Sequence, residues 1–125
     1  MVKALESYVA GVLGSDRAKI SAQFSPSVRV YSLAGNAPYT GAGRVATNVS
    51  KVMQAMDRFA FVRLGAASDG WHTVQFEGEV QGMPFDEIDL MHIGEDGLID
   101  EMRMFFRPAP AAELFFKAMT AAQQS

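Results

Sequence analysis

Cysteine is absent from this 125-residue chain, and its absence removes several kinds of chemistry at once. Disulfide bonds, catalytic thiolates and cysteine-ligated metal centres are all excluded, and the cellular compartment cannot be inferred from the redox state of cysteines. The two histidines, His72 and His92, stand far apart in the sequence and do not make a metal site. The sequence therefore predicts a protein without a metal ion.

Long apolar runs and clusters of positive charge are also missing. No stretch approaches the ~18 apolar residues of a membrane-spanning helix, and the N-terminus does not show the charged-then-apolar pattern of a signal peptide. The net charge is −3 and the 11 Lys and Arg residues are scattered, whereas nucleic-acid binding needs clustered cations. We therefore expect no nucleic-acid or membrane partner and, by default, a cytoplasmic location.

The overall composition of the chain is that of an ordinary globular domain. Hydrophobic residues make up 49% of the chain and charged residues 20%, with no collagen-like or disordered bias. A chain of this length buries roughly two thirds of the surface that its unfolded form exposes, so it can form a real core. Its length suits one domain, and it contains no linker or internal repeat. We predict a single domain over residues 1–125.

Two helices are predicted at the start of the chain. The first is amphipathic and ends at Gly14, because apolar residues recur every three or four positions before it. These residues are Val2, Leu5, Tyr8, Val9, Val12 and Leu13. Ser15 or Asp16 can cap a second short helix, which Pro26 stops. We place Phe24 on the apolar face of this second helix.

The rest of the chain predicts a curved sheet covered by helices. A strand over residues 28–32 and a turn-rich segment precede a third helix, which has an apolar stripe. Further strands are expected at residues 59–64, 71–80, 85–93 and 98–106, and a last helix after Pro108 and Pro110. Helices gathered on the concave side of a curved antiparallel sheet form an α+β cone that encloses a cavity. This is the predicted fold class.

The last two strands form a hairpin that carries the most informative residue of the chain. Asp96-Gly97 between two alternating runs is a strong hairpin signal. In the first run, Asp89 stands between Ile88 and Leu90, on a face whose next residues are apolar. A carboxylate there must be paired or is pushed toward its neutral form, so we predict a raised pKa for Asp89. A neutral carboxylic acid can donate a hydrogen bond, which makes Asp89 a candidate functional residue.

This order of elements, and the hairpin above all, resembles the ketosteroid isomerase-like and SnoaL-like members of the NTF2-like superfamily. The hairpin reads Asp-x-Ile-Asp-x-Met and then x-Gly-x-Ile-x-x-Met. The resemblance covers nearly the whole chain, with its specific part in the hairpin. It implies a protein that binds a hydrophobic carbonyl or phenolic small molecule at an oxyanion hole, with isomerase-like chemistry and no cofactor.

By this resemblance, Tyr8 matches the tyrosine and Asp89 the aspartic acid of the oxyanion hole, which hold a dienolate oxygen while an aspartate base moves a proton. The position of that base is Ser32 here, and a serine needs a partner to deprotonate it before it can act. Isomerase activity weakened by this loss is therefore expected. Glu87 is the best candidate in the sequence for a replacement base. The candidate catalytic residues are Tyr8, Asp89, Ser32 and Glu87.

Each of these residues also has a plainer interpretation. Asp89 can be a structural carboxylate that meets an arginine such as Arg103, and Tyr8 can be an ordinary buried tyrosine whose hydroxyl finds a partner. Ser32 can be a polar strand end. For Glu87 we favour a solvated glutamate over a catalytic one.

Apolar residues on the inner faces are expected to line the cavity, where flexible methionines suit varied apolar ligands. The predicted substrate-binding residues are Phe24, Met53, Phe61, Val74, Phe76, Met91, Met102, Met104 and Phe106. Three functions remain open: an isomerase-like enzyme, a module that binds the same ligands without turnover, and a scaffold whose cavity holds no ligand.

A homodimer is predicted from the opposite face of the sheet. Ile88, Leu90 and Phe105 alternate away from the predicted cavity residues. An apolar sheet face of this kind needs cover. The resemblance implies pairing through the same face.

Overall fold

The computed structural model describes residues 3–124, so Val2 of the predicted first helix lies outside the described residues. Within this range, four helices and six strands follow one another along the chain. The helices are α1 (Lys3–Leu13), α2 (Arg17–Ser21), α3 (Ala42–Ala55) and α4 (Ala109–Gln124). The strands are β1 (Phe24–Tyr31), β2 (Tyr39–Thr40), β3 (Arg58–Ala66), β4 (Trp71–Val80), β5 (Met83–Ile93) and β6 (Ile99–Arg107).

The six strands form one curved, unclosed sheet in the order β2-β1-β6-β5-β4-β3. Strands β3 to β6 form an antiparallel meander, whereas β1 lies parallel to β6. The main core cluster joins apolar residues of α1, α2 and α3 to residues of β4, β5 and β6. The predicted α+β cone is confirmed, with the refinement that one strand pair in the sheet is parallel.

Strand β5 shows how the alternation of side chains separates the cavity side of the sheet from its outer side. Its buried residues come at every second position and include Glu87, Asp89 and Met91. The residues between them face outward, and Ile88 is 39% exposed. On the neighbouring strand β6, Phe105 is 56% exposed on the same outer face. The predicted outward orientation of these apolar side chains is confirmed.

The boundary between α2 and β1 differs from the prediction. Asp16 caps α2 as expected, because its carboxylate accepts a hydrogen bond of 3.0 Å from the Lys19 backbone N–H. However, Phe24 begins strand β1 instead of belonging to the helix, and Pro26 lies inside this strand. The pairing of β1 with β6 shifts register between Phe24 and Arg29. Proline is tolerated there because the regular ladder is already interrupted.

Helix α4 begins earlier than predicted. It starts at Ala109 and includes Pro110 in its first turn, where a backbone N–H would have no acceptor within the helix and proline costs little. Along its length, Ala111, Phe115 and Met119 are buried at helical spacing. This apolar stripe packs α4 against the rest of the domain. No helix in residues 3–124 is long and apolar enough to cross a membrane.

Candidate active-site cavity

A cavity of about 50 Å³ lies between the helices and the concave side of the sheet. Elements from both ends of the chain contribute to it, so the cavity is complete only in the folded domain. Its lining is mainly apolar with a few hydroxyl, amide and carboxyl groups. The lining residues are Tyr8, Val12, Ser32, Tyr39, Asn48, Val49, Val52, Met53, Phe59, Glu87, Asp89, Met102, Met104, Phe115 and Met119.

Tyr8 reaches the cavity from α1, one turn after the buried Leu5 on the same helix face. Its ring packs edge-on against Phe24, with centroids 5.5 Å apart and an interplanar angle of 82°. Burial raises the pKa of the Tyr8 hydroxyl well above its usual value, and the nearby Asp89 and Glu87 carboxyls raise it further. Tyr8 therefore remains a neutral hydroxyl that can donate a hydrogen bond.

Asp89 and Glu87 face the cavity together because they are two residues apart on β5. Asp89 is 1% and Glu87 5% exposed. Their partners on β6 are apolar, Met104 opposite Asp89 and Phe106 opposite Glu87. No described arginine or lysine forms a salt bridge with either carboxyl. The two acids are thus buried in an apolar environment, with the cavity, each other and the Tyr8 hydroxyl as their polar surroundings.

Arg103 is not the partner of Asp89. It lies opposite Leu90 in the β5–β6 ladder, so it shares the outer face. There its Nε donates a hydrogen bond of 2.7 Å to Glu101, and its guanidinium stacks 4.0 Å from the centre of the Tyr31 ring. The interpretation of Asp89 as an arginine-paired structural carboxylate is therefore wrong.

Burial determines the protonation of the carboxyl pair. It raises the pKa of Asp89 to about 6, against the lowering effect of the nearby Glu87 carboxyl and Tyr8 hydroxyl. Burial also raises the pKa of Glu87 well above its usual value, and the charge of Asp89 raises it further. The raised pKa predicted for Asp89 is confirmed. Because both pKa values are raised and the two carboxyls interact, the pair retains a proton to higher pH than exposed carboxyls do.

Glu87 differs from its favoured interpretation in the sequence. A solvated glutamate was expected, yet the side chain is buried and lines the cavity beside Asp89. The reason is the alternation of β5, which gives Glu87 the same face as Asp89, together with the depth of the strand within the sheet. Its neighbours across both ladders, Phe76 and Phe106, keep solvent away from that face.

Ser32 also lines the cavity, immediately after the end of β1. Its hydroxyl oxygen accepts a hydrogen bond of 3.2 Å from the Ala34 backbone N–H, which is the geometry of a local turn. Among the described residues that line the cavity there is no histidine or lysine that could deprotonate it. Ser32 is thus close to the other candidate residues but lacks an activating partner.

The predicted wall is partly in place. Met53, Met102 and Met104 line the cavity, whereas the other predicted wall residues do not. Phe24, Val74, Phe76 and Met91 belong to the closed core, where helices or neighbouring side chains cover them completely.

Two more predicted wall residues lie elsewhere for different reasons. Phe61 is 38% exposed, because β3 is the outermost strand and its pairing with β4 is irregular between Phe61 and Arg63. Phe106 stacks between Phe85 and Phe115, with ring centroids 4.6 and 4.7 Å away. It therefore supports the cavity wall from behind Phe115.

Several lining residues were not foreseen. Asn48, Val49 and Val52 come from the inner face of α3, whose apolar stripe at helical spacing gave a usable signal for the two valines. Phe115 and Met119 come from α4. Tyr39 belongs to the two-residue strand β2, which no sequence pattern indicated within the turn-rich segment. Burial raises the pKa of the Tyr39 hydroxyl, while the nearby Asn48 amide lowers it.

Two polar atoms in the cavity lack a hydrogen-bond partner. They are Asp89 Oδ1 and Asn48 Nδ2, both fully buried. The Asn48 amide lies close enough to the Tyr39 hydroxyl to lower its pKa, although the two groups do not form a hydrogen bond of ordinary geometry. A buried polar atom without a partner costs about 1–3 kcal/mol. The folded protein therefore has one hydrogen-bond donor, Asn48 Nδ2, and one acceptor, Asp89 Oδ1, without partners inside an apolar cavity.

Comparison with known proteins places the chain by its fold. No protein-family model and no curated protein matches the sequence. Among solved structures, an uncharacterised protein with a cystatin-like fold from Silicibacter pomeroyi is 22% identical, with a TM-score of 0.91 over 100% of this chain and 88% of that one. A steroid delta-isomerase from Pseudomonas aeruginosa is 21% identical, with a TM-score of 0.88 over 97% and 89%.

A third solved structure is more distant. An NTF2-like protein of unknown function from Cytophaga hutchinsonii is 13% identical, with a TM-score of 0.68 over 86% of this chain and 89% of that one. At these identities the similarity concerns the fold, and it agrees with the resemblance inferred from the hairpin. The chain therefore has the NTF2-like fold in the form that a steroid isomerase also adopts.

Proposed function

We propose that this protein binds a compact hydrophobic ketone or phenol through an oxyanion hole and isomerises suitable ketones slowly. The supporting observation is that Tyr8 and the Glu87–Asp89 pair, all buried, line one apolar cavity. Preorganised donors are most effective where water is excluded, since they need no reorganisation when charge develops. The fold, shared with a steroid delta-isomerase, is compatible with this function.

The oxygen of the ligand is held by two donors whose pKa values are raised by burial. Tyr8 supplies a hydroxyl and Glu87 a carboxylic acid, because burial raises both pKa values. As a ketone enolises, negative charge moves onto its oxygen, and these two donors stabilise it. A phenolate presents a similar oxyanion and is therefore a suitable probe of the site.

The proton is moved by Asp89, whose Oδ1 is buried in the cavity without a hydrogen-bond partner and can accept it. In a β,γ-unsaturated ketone, the Asp89 carboxylate takes the proton from the carbon between the carbonyl and the double bond. The electron pair passes to the carbonyl oxygen and gives a dienolate, and Asp89 becomes a neutral acid that can also donate to that oxygen. Return of the proton to the γ-carbon yields the conjugated ketone and restores the carboxylate.

Turnover should be slow because Asp89 has two tasks. It must act as base and as part of the oxyanion hole, whereas the resemblance implies a separate aspartate at the position of Ser32. A well-placed general base contributes about 10²–10⁴-fold to the rate. Binding of the oxyanion does not depend on that separate base and should persist.

The size of the cavity favours small ligands. Its volume of about 50 Å³ is well below the ~300–1,000 Å³ of pockets that enclose drug-sized molecules. Even a single ring, which occupies a cavity of about 150 Å³, requires the wall to move, and a steroid requires it to move further. Met53, Met102, Met104 and Met119 form part of that wall, and methionine side chains adapt readily to a new shape.

Binding without turnover is the second candidate function. It is favoured by Ser32, whose hydroxyl is engaged with Ala34 and has no activating partner. Both functions use the same ligand contacts. They differ only in whether the proton is transferred.

Titration with 4-nitrophenol tests the oxyanion hole, because its absorbance distinguishes the phenol from the phenolate. We expect saturable binding with a shift toward the phenolate spectrum. Tyr8→Phe should weaken binding about tenfold or more, since it removes one donor to a charged oxygen. Tyr31→Phe is the matched control, because Tyr31 lies outside the cavity. Binding that does not change in Tyr8→Phe would refute the proposal.

Conversion of cyclohex-3-enone to its conjugated isomer, followed by ultraviolet absorbance, separates the enzyme from the binding module. A rate above that of buffer which is lost in Asp89→Asn supports the isomerase. Binding of 4-nitrophenol without any conversion supports the binding module.

A further inference from the structure

The cavity contains a polar group that the proposed function does not use. Among the residues that the structure describes, three buried side-chain atoms lack a hydrogen-bond partner: Asn48 Nδ2, Ser50 Oγ and Asp89 Oδ1. Two of the three, on Asn48 and Asp89, belong to residues that line the same cavity. Native proteins leave few such atoms, so two in one small apolar space call for an explanation.

Asn48 is placed to meet a ligand. It lies on the inner face of α3, beside the lining residues Val49 and Val52. Its Nδ2 is a donor only, so it needs an acceptor. The Tyr39 hydroxyl also lines the cavity, and the Asn48 amide lies near enough to lower its pKa, but no hydrogen bond of ordinary geometry joins the two groups. Asn48 and Tyr39 thus offer an amide donor and a neutral hydroxyl side by side.

A ligand with one oxygen does not satisfy this arrangement. If its oxygen is held by Tyr8 and the carboxyl pair, Asn48 Nδ2 stays buried without an acceptor. A second oxygen on the ligand would accept from Asn48. The small volume of the cavity requires that a short, flat group such as a single ring carry both oxygens.

We propose that Asn48 and Tyr39 form a second polar subsite for an acceptor oxygen, so that the natural ligand is a single-ring compound with two oxygen functions. Hydroxyphenyl ketones are the simplest members of this class. The inference rests on the proposed function, because the first oxygen is the one held by Tyr8 and Glu87. It adds the substrate class and names Asn48 as the residue that selects it.

The experiment compares ligands that differ only in the second oxygen. Calorimetric or fluorescence titrations would use 3- and 4-hydroxyacetophenone against 3- and 4-ethylphenol, which have nearly the same shape. We expect at least one hydroxyacetophenone to bind about tenfold more tightly than its ethyl counterpart, since a site built to bond an oxygen discriminates against the analogue without it. Equal affinity for both members of both pairs would overturn the proposal.

Substitution of Asn48 tests whether this residue causes the preference for a ligand with a second oxygen. Asn48→Leu has a similar size and no donor, and it should abolish the tenfold preference while leaving the affinity for ethylphenols nearly unchanged. Ser50→Ala is the matched control, since Ser50 is also a buried residue of α3 without a partner but does not line the cavity. A preference that survives in Asn48→Leu, or a loss in both variants alike, would contradict a subsite at Asn48.

A measurement on the unmodified protein covers the case in which Asn48→Leu does not fold. The carbonyl ¹³C resonance of labelled 4-hydroxyacetophenone should move downfield on binding, as it does when a carbonyl accepts a hydrogen bond. An upfield or unchanged resonance in the bound state would overturn the proposal.

Tyr8→Phe distinguishes failure of the subsite from failure of the proposed function. If no phenol depends on Tyr8, the oxyanion hole itself is refuted. If all phenols depend on Tyr8 and none on Asn48, only the second subsite is refuted.

Discussion

Asp89 is a single side chain whose ionisation should be visible in the stability of the whole protein. Its pKa rises from 3.8 to about 6 on folding, chiefly by burial. Between these values the folded state binds a proton that the unfolded state has released. The contribution of Asp89 to the free energy of unfolding therefore falls as the pH rises from about 4 to 6 and is constant above that, while the raised pKa of Glu87 adds a decline of its own. The shift corresponds to about 3 kcal/mol for Asp89 alone.

Asp89→Asn should remove the part of this dependence that comes from Asp89 and leave the part that comes from the burial of Glu87. We expect the variant to be as stable as the unmodified protein or more stable at pH 7, because an amide carries no charge to desolvate. Urea unfolding at several pH values between 4 and 8 measures the effect. Asp86→Asn is the control, since Asp86 is on the neighbouring outward position and is partly exposed. A large loss of stability in Asp89→Asn at pH 7 would show that the ionised form is stabilised by the fold.

Ser32→Asp places a carboxylate where the resemblance implies a base. If the proposed mechanism is correct, the isomerisation rate should rise by a factor within the ~10²–10⁴ range of general-base catalysis. The assay is the conversion of cyclohex-3-enone, with 4-nitrophenol titration to show that the site is intact. Ser27→Asp, an exposed position on the same strand, should leave the rate unchanged. Unaltered binding without a gain in rate would mean that residue 32 does not face the reacting carbons.

At the scale of elements, two glycines should respond in opposite ways to the same substitution. A Cβ on Gly78 of β4 would collide with the backbone carbonyl of Arg58 on β3 and lie 2.8 Å from the Phe85 ring. Gly78→Ala should therefore destabilise by about 1–3 kcal/mol or more, as overpacking does. A Cβ on Gly43 of α3 would meet nothing within 4 Å.

Gly43→Ala is accordingly the matched comparison. It should stabilise the protein by up to about 1 kcal/mol, because alanine is the better helix former. Thermal unfolding of both variants beside the unmodified protein checks the pair. If Gly78→Ala were as stable as Gly43→Ala, the close approach of β3 to β4 would be incorrect.

The elements with strong periodicity could be predicted from the sequence, and the weakly periodic ones could not. Strand β4 was predicted at its observed bounds, and the alternation of β5 correctly turned Asp89 inward. The end of α2 was misplaced, since Pro26 can stop a helix or sit at a strand irregularity and the sequence does not distinguish the two. Strand β2 has only two residues and depends on its pairing with β1, which is a tertiary contact.

The candidate site could be predicted from the sequence less completely than the helices and strands could. Alternation tells which side of the sheet a residue faces, but not whether that position faces the cavity or the closed core. Val74 and Asp89 are directly opposite each other in the β4–β5 ladder, yet only Asp89 lines the cavity. The difference depends on where the helices cover the sheet. For the same reason Phe115 of α4 could be predicted as buried but not as part of the wall.

For the whole molecule, we predict a homodimer formed through the outer sheet face. Ile88 and Phe105 are direct partners in the β5–β6 ladder and are exposed, and Leu90 is the next residue of β5 on the same face. Phe105→Asp should shift the protein toward the monomer in sedimentation at micromolar concentration. Leu13→Asp is the control, because Leu13 is an exposed apolar residue at the end of α1. A monomeric unmodified protein would remove this prediction.

The parallel pairing of β1 with β6 has a consequence for the order in which the domain assembles during synthesis. The ion pair between Arg29 and Glu101 joins residues 72 positions apart, and β6 separates β1 from the rest of the sheet. A nascent chain can form the hairpins of β3, β4 and β5 as they leave the ribosome, but β1 has no neighbour except β2 until β6 emerges. Strand β1 can therefore pair with β6 only after β6 has been synthesised, and long-range pairing of this kind slows folding. Strand β6 also supplies Met102 and Met104 of the cavity wall, so the site can be completed only after β6 has been synthesised.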